Sequence, residues 1–258
     1  MTHTTTTVGA AHPVIWCRQT SDDVPTGDDW LTAPERAVQT RFVVPKRLAD
    51  WRLGRWTAKS ALHAAVGVAE GEVSVIAADD GAPEAYVDGE RAALSLSISH
   101  REGVGIAAVG QPGITVGIDL EVVEPRTDAF IRDWFGEIDQ QRIAVADDRY
   151  QMACLRWSIK EAAVKLLRTG LRLDVRSMEV RLGIEAGIGL WRPWQVHSPD
   201  LDVPVEGWSL VDHGWITALA TSPRLSRVPP PASRVDHRVS AGIVDRSRSS
   251  AHPTARGG

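Results

Sequence analysis

The stretch Trp157–Lys165, WSIKEAAVK, sets three charges, Lys160, Glu161 and Lys165, into a segment otherwise built for burial. From about Tyr150 to Arg168, the residues Met152, Leu155, Ile159, Ala162, Ala163, Leu166 and Leu167 recur at helical spacing, and Gly170 is placed to end the run. The spacing predicts an amphipathic helix with one apolar face. Glu161 and Lys165, four apart, leave that helix on one side, with Lys160 about a third of a turn away. Taken alone, such charges read as a solvated salt-bridge face. An acidic cluster upstream changes that reading.

The cluster is GIDLE, Gly117–Glu121, which follows Ile114, Thr115 and Val116 and has the alternation of a strand. Period two puts Asp119 and Glu121 on one face and Ile118 and Leu120 on the other. Two carboxylates on one face of a largely buried strand repel each other, and a hard divalent ion such as Mg²⁺ removes the cost. If the Glu161 helix packs over this strand, a third carboxylate joins the pair, and Lys160 and Lys165 supply positive charge for a phosphorylated ligand. Carboxylates, metal and lysines together point to chemistry at a phosphate.

The chain has 258 residues, 43% hydrophobic and 24% charged, enough for one large domain or two small ones. Its ten tryptophans suit core and cleft walls. Cys17 and Cys154 match no metal or redox spacing and fit a reducing compartment, and no apolar run is long enough to span a bilayer. A cytoplasmic protein with no membrane and no nucleic-acid partner is expected. Residues 1–12 read as a loose N-terminus. From residue 222 to 258 the composition turns to Pro, Ser and Arg, with seven arginines against two aspartates, and reads as a disordered basic tail. That tail carries net +5 in a chain of net −4, so the remainder carries −9.

The stretch from Thr40 to Leu62, helix-like after Pro45, carries six basic residues and a single acid. Arg47, Arg55 and Lys59, eight and four apart, share a face and can converge on one polyanion, although a basic surface helix is the simpler reading of this segment by itself. A short strand at Val73–Ile76 leads to DDGAPEAYVDGE, a turn-rich linker. LSLSISH then alternates Leu94, Leu96 and Ile98 inward against Ser95, Ser97 and Ser99, and a second strand follows at Val104–Val109. The hairpin presents Ser99, His100 and Arg101 at its tip, where hydroxyl and imidazole donors suit phosphate oxygens. Ser99 and His100 are no hydrolase pair, because neighbours in a strand point oppositely and no GxSxG elbow is present.

Basic helix, GAP turn, SISH, GIDLE and WSIKEAAVK, in this order and over roughly Thr40–Ala220, resemble the Sfp-type 4′-phosphopantetheinyl transferases, as do the later TGLRLD and HGWITALA. The resemblance implies an α+β fold of two similar subdomains related by a pseudo-twofold, each a small antiparallel sheet packed with a helix, at 13–110 and 111–221. It implies coenzyme A in the cleft between them. Asp119, Glu121 and Glu161 match the family's metal positions, for Mg²⁺ with Mn²⁺ as an alternative. Lys160 and Lys165 match the lysines on its phosphates, and Arg47, Arg55, Ser99 and His100 match positions at the adenosine 3′-phosphate end, with Lys59 a weaker match.

The implied reaction is attack of a serine of an apo acyl or peptidyl carrier protein on the β-phosphate of coenzyme A, releasing adenosine 3′,5′-bisphosphate, with Glu161 the candidate base and Lys165 beside it. A monomer serving polyketide or nonribosomal-peptide carriers is expected. The chain departs from the family pattern twice. Ala82 stands where Gly-Lys-Pro is common, leaving Arg101 or Lys59 to replace the lysine, and Asp139 stands four residues after Phe135 where Glu is common. Two other readings use the same residues: a non-catalytic module that binds a carrier or coenzyme A, and a Mg²⁺-dependent pyrophosphate hydrolase.

Overall fold

The structure, a computed structural model, describes residues 13–170, 173–183 and 191–223. The expected loose N-terminus, and the expected basic tail beyond its first two residues, lie outside the described residues. The fold is α+β and its sheets are antiparallel. In the first half, β1 (Val14–Thr20), β6 (Val104–Gly110) and β5 (Ser95–Arg101) form a sheet in the order β1-β6-β5. Helix α2 (Pro45–Val66) lies against it, preceded by α1 (Ala33–Gln39). Pro45 suits the first turn of α2, and Gly67 at φ 74 ends it with an N–H bond to the His63 carbonyl.

The second half is a larger version of the same plan. Strands β7 (Thr115–Val122), β8 (Glu179–Leu182), β9 (Trp191–His197), β10 (Val205–Asp212) and β11 (Trp215–Ser222) run in the order β7-β11-β10-β9-β8, and α5 (Arg149–Leu167) packs on β7 and β11. Helices α3 (Asp128–Trp134) and α4 (Glu137–Ala144) precede α5. The helix expected over Tyr150–Arg168 is therefore present, but it stops before Gly170, with Arg168 itself in the left-handed conformation at φ 54. The expected linker DDGAPEAYVDGE instead holds β3 (Pro83–Val87) and β4 (Glu90–Arg91), which join β2 (Val73–Ala77) in a small sheet β2-β3-β4. Proline is tolerated there because it begins the strand.

The pseudo-twofold is written in register. The β5–β6 and β10–β11 hairpins turn through Glu102-Gly103 and His213-Gly214, all four residues at positive φ. Counted from these turns, Gln19 faces Gly105 on β6 as Glu121 faces Ile216 on β11, and Cys17 faces Ala107 as Asp119 faces Ala218. Cys17 and Gln19 therefore hold in the first half the positions of Asp119 and Glu121 in the second. The two halves meet through a shared apolar cluster in which Val14, Trp16 and Ile106 pack with Ile118, Leu120, Trp191 and Leu219.

A buried ion pair is duplicated with the fold. In the first half Lys59, on α2, pairs with Glu35 at 2.6 Å and donates to the carbonyls of Trp30 and Glu70, while Glu35 accepts from the Val75 N–H on β2. In the second, Lys160, on α5, pairs with Asp139 at 3.1 Å and donates to the carbonyls of Trp134 and Val175, while Asp139 accepts from the Val180 N–H on β8. Each ammonium lies over an aromatic ring, Trp30 and Phe135 respectively. Burial pushes the pKa of both lysines down and the paired acid pulls it back. Each unit ties one long helix to a neighbouring helix segment and to a strand, α2 to α1 and β2, α5 to α4 and β8.

Candidate active site

The site is built where α5 crosses β7. Gly117 makes the close crossing possible, since a Cβ there would lie 2.1 Å from the Ala162 carbonyl oxygen and 2.5 Å from the Leu166 nitrogen. Asp119 and Glu121 share the face of β7 that carries Gly117, and they come to lie under Glu161 and Lys165. Lys165 Nζ donates to Asp119 Oδ1 at 2.7 Å and to the Ile118 carbonyl at 3.2 Å. Ser99 donates to the same Oδ1 at 2.9 Å from β5. Asp119 is 4% exposed, and its Oδ2 is buried with no hydrogen-bond partner.

The carboxylates repel as their spacing demands. Loss of water around Glu161 raises its pKa above the ordinary value, and Asp119 adds to that against the pull of Lys165. Glu121 is raised by the same desolvation and by Asp119, although Arg126 and Arg101 pull it down. Arg126 lies 3.0 Å from Glu121 Oε2 and 3.0 Å from Glu124 Oε1, and Arg101 reaches Glu124 at 2.5 Å. Among the described residues no three His, Cys, Asp or Glu side chains are drawn together as a group able to hold a metal ion. Counter-ions occupy the cluster instead, Lys165 on Asp119 and Arg126 on Glu121. The chemistry of the donor set nevertheless fits a hard cation, because the orphaned Asp119 Oδ2 and the two raised glutamates are oxygen donors short of positive charge.

A second group gathers beside the first. Arg47, Arg55 and His100 line one cavity of about 550 Å³ with Trp51, Gly81 and Pro83. Arg55 stacks over Trp51 at 5.3 Å, and its Nε is a buried donor without a hydrogen-bond partner. His100 sits exposed at the rim, beside Gly54, yet lost hydration pushes its pKa below the ordinary value, outweighing the attraction of Asp50. Glu161 and Lys165 line a neighbouring cavity of about 430 Å³, walled by Leu96, Ile98 and Val116.

The structure does not bring Lys59 or Lys160 to either cavity. Both are fully buried in the duplicated ion pairs, so neither takes the expected place on a phosphate, and Lys59 does not replace the lysine missing at Ala82. Arg101 is engaged by Glu124. Ser99 points to Asp119 rather than into the arginine cavity, and Ser95 and Ser97 accept the N–H groups of Val116 and Ile118, so the serines expected to face outward form a polar seam between β5 and β7. Sequence reasoning passed over Arg126, Glu124 and Arg168. It also passed over a repeat that marks the structural lysines, RWTAK at Arg55–Lys59 against RWSIK at Arg156–Lys160.

Residues 115–204 match the family model described as the 4′-phosphopantetheinyl transferase superfamily. No curated protein matches the chain. Among solved structures, the Thermotoga maritima holo-[acyl-carrier-protein] synthase is similar at 24% identity and a TM-score of 0.32, over 41% of this chain and 61% of that one. The segment that holds Asp119, Glu121, Glu161 and Lys165 thus lies within the residues that match the superfamily's model.

Proposed function

We propose that the chain transfers the 4′-phosphopantetheine group of coenzyme A to a serine of an apo acyl or peptidyl carrier protein, as an Sfp-type member of that superfamily. The observation that carries this reading is the pairing of two cavities across one turn. Gly81 and Pro83 line both the cavity of Arg47, Arg55 and His100 and the cavity of Glu161 and Lys165. A ligand with a nucleotide 3′-phosphate at one end and a pyrophosphate at the other needs this arrangement.

Arg47, Arg55 and His100 would hold the 3′-phosphate, with Arg55 Nε as a buried donor. Lys165, which already supplies a cation within the carboxylate cluster, would meet the charge that develops on the pyrophosphate. The carrier serine Oγ bonds to the β-phosphorus, the bond from that phosphorus to the bridging oxygen breaks, and adenosine 3′,5′-bisphosphate leaves with the electron pair. Glu161 takes the serine proton, and burial, which raises its pKa, makes it a stronger base than an exposed carboxylate. A Mg²⁺ held by Asp119, Glu121 and Glu161 would supply further charge neutralisation at the pyrophosphate, with Mn²⁺ equally suited to oxygen donors.

In the first half, Cys17, Gln19 and Ser60 stand where the second half has Asp119, Glu121 and Glu161, and Gln19 simply donates to the Ser60 hydroxyl at 3.2 Å. At these matched positions the second half alone builds a carboxylate cluster. The test is whether adenosine 3′,5′-bisphosphate forms from coenzyme A only when an apo carrier is present. Carrier-independent release would support the hydrolase instead, and binding without release the non-catalytic module.

A further inference from the structure

The arginine cavity is lined by the first half alone and the Glu161–Lys165 cavity by both halves, and one side chain ties the second half to the turn the two cavities share. Arg168 follows the last turn of α5, three residues beyond Lys165, in the left-handed conformation. Its Nε and Nη2 each lie 2.8 Å from the two Asp80 carboxylate oxygens, and its Nη1 lies 3.2 Å from Glu84. Asp80 opens the turn that carries Gly81 and Pro83, and its Oδ1 also accepts the Ala82 N–H at 3.1 Å. Arg91 pairs with the same Glu84 oxygen, Oε1, at 2.9 Å. A planar guanidinium bonded to both oxygens of one carboxylate fixes direction as well as distance. Arg168 holds the Asp80 pKa down to about 2, so the carboxylate is ionised at any working pH.

We propose that Arg168 is a positioning residue that sets the Asp80–Pro83 turn, and with it the arginine cavity, in register with the helix that carries Glu161 and Lys165. This rests on the reading of the cleft as a coenzyme A site. The turn Asp80–Pro83 carries no cation of its own and receives one from across the cleft. All three guanidinium nitrogens of Arg168 bond to Asp80 or Glu84, which assigns the side chain to the turn.

A ligand confined to one cavity is indifferent to the strap, while a ligand that spans both depends on it. The experiment is calorimetric binding of coenzyme A and of adenosine 3′,5′-bisphosphate to the full chain and to Arg168→Met, Asp80→Asn and the double variant, with steady-state kinetics alongside. Coenzyme A should bind on the order of tenfold more weakly to each single variant and no more weakly to the double variant, the non-additivity expected of direct partners. Adenosine 3′,5′-bisphosphate should stay within about twofold, and KM for coenzyme A should rise while kcat holds. Equal weakening of both ligands, additive losses, or no loss would overturn the inference. If the unaltered chain binds neither ligand, the coenzyme A reading falls as well, which separates that failure from failure of the strap alone.

Discussion

Ser99 on β5 and Asp119 on β7 meet across the junction of the two halves, hydroxyl to carboxylate at 2.9 Å, on the same oxygen that takes Lys165. The contact saturates Oδ1 and leaves the buried Oδ2 as the free donor of the cluster. It also makes the acidic centre a joint product of both subdomains, although its carboxylates all come from the second.

Ser99→Ala removes one donor from a nearly buried carboxylate while Lys165 remains. The fold should survive with a loss of about 1–3 kcal/mol, the cost of unsatisfying part of a buried acceptor. Urea denaturation followed by tryptophan fluorescence measures this. An unchanged midpoint would mean that the seam between β5 and β7 contributes nothing at this position.

Arg126 competes with any cation for Glu121. Arg126→Met should lower thermal stability in the absence of divalent ions, because Glu121 then faces Asp119 with one counter-ion fewer. It should also tighten Mg²⁺ binding on the order of tenfold, the weight of one nearby opposite charge. Calorimetric titration with Mg²⁺ reads the second effect directly, and an equal or weaker affinity in the variant would sink the counter-ion argument.

His100 carries the pH signature of the arginine cavity. Its pKa lies below the ordinary 6.5 because desolvation disfavours the charged ring. The folded chain therefore binds fewer protons there than the unfolded chain, and the stability this contributes is present above pH 6.5 and is lost as pH falls through the folded value. A bound phosphate reverses the sign by favouring the imidazolium. Imidazole resonances followed by NMR should titrate below 6.5 in the free chain and move upward when coenzyme A is added. A midpoint at or above the ordinary value, or no upward movement, would contradict the placement of a phosphate beside His100.

Periodicity made the framework of the site legible. GIDLE alternates cleanly and WSIKEAAVK repeats cleanly, so strand, helix and the faces of Asp119, Glu121, Glu161 and Lys165 followed from spacing. Lys160 was misjudged because a third of a turn on a buried helix is the difference between the cleft and the core, and sequence does not fix the helix's rotation. The duplicated units would have fixed it. Trp30 and Glu35 answer to Trp134 and Asp139 at the same spacing, and Arg55 and Lys59 answer to Arg156 and Lys160. Lys59 and Lys160, repeated in both halves, serve the fold, whereas Glu161 and Lys165 face Ser60 and Ala64 in that alignment and so belong to the one site. Arg168 lay beyond reach for a different reason. Its role depends on a left-handed residue after the helix and on a turn 88 residues away.

The most direct measurement is the intact mass of an apo carrier protein after incubation with coenzyme A, Mg²⁺ and either the unaltered chain or Asp119→Ala, each with and without chelator. The account predicts one phosphopantetheine adduct on the carrier serine with the unaltered chain, lost on chelation and absent with Asp119→Ala. An adduct formed by Asp119→Ala at the unaltered rate, or a carrier left unmodified by the unaltered chain, would contradict it.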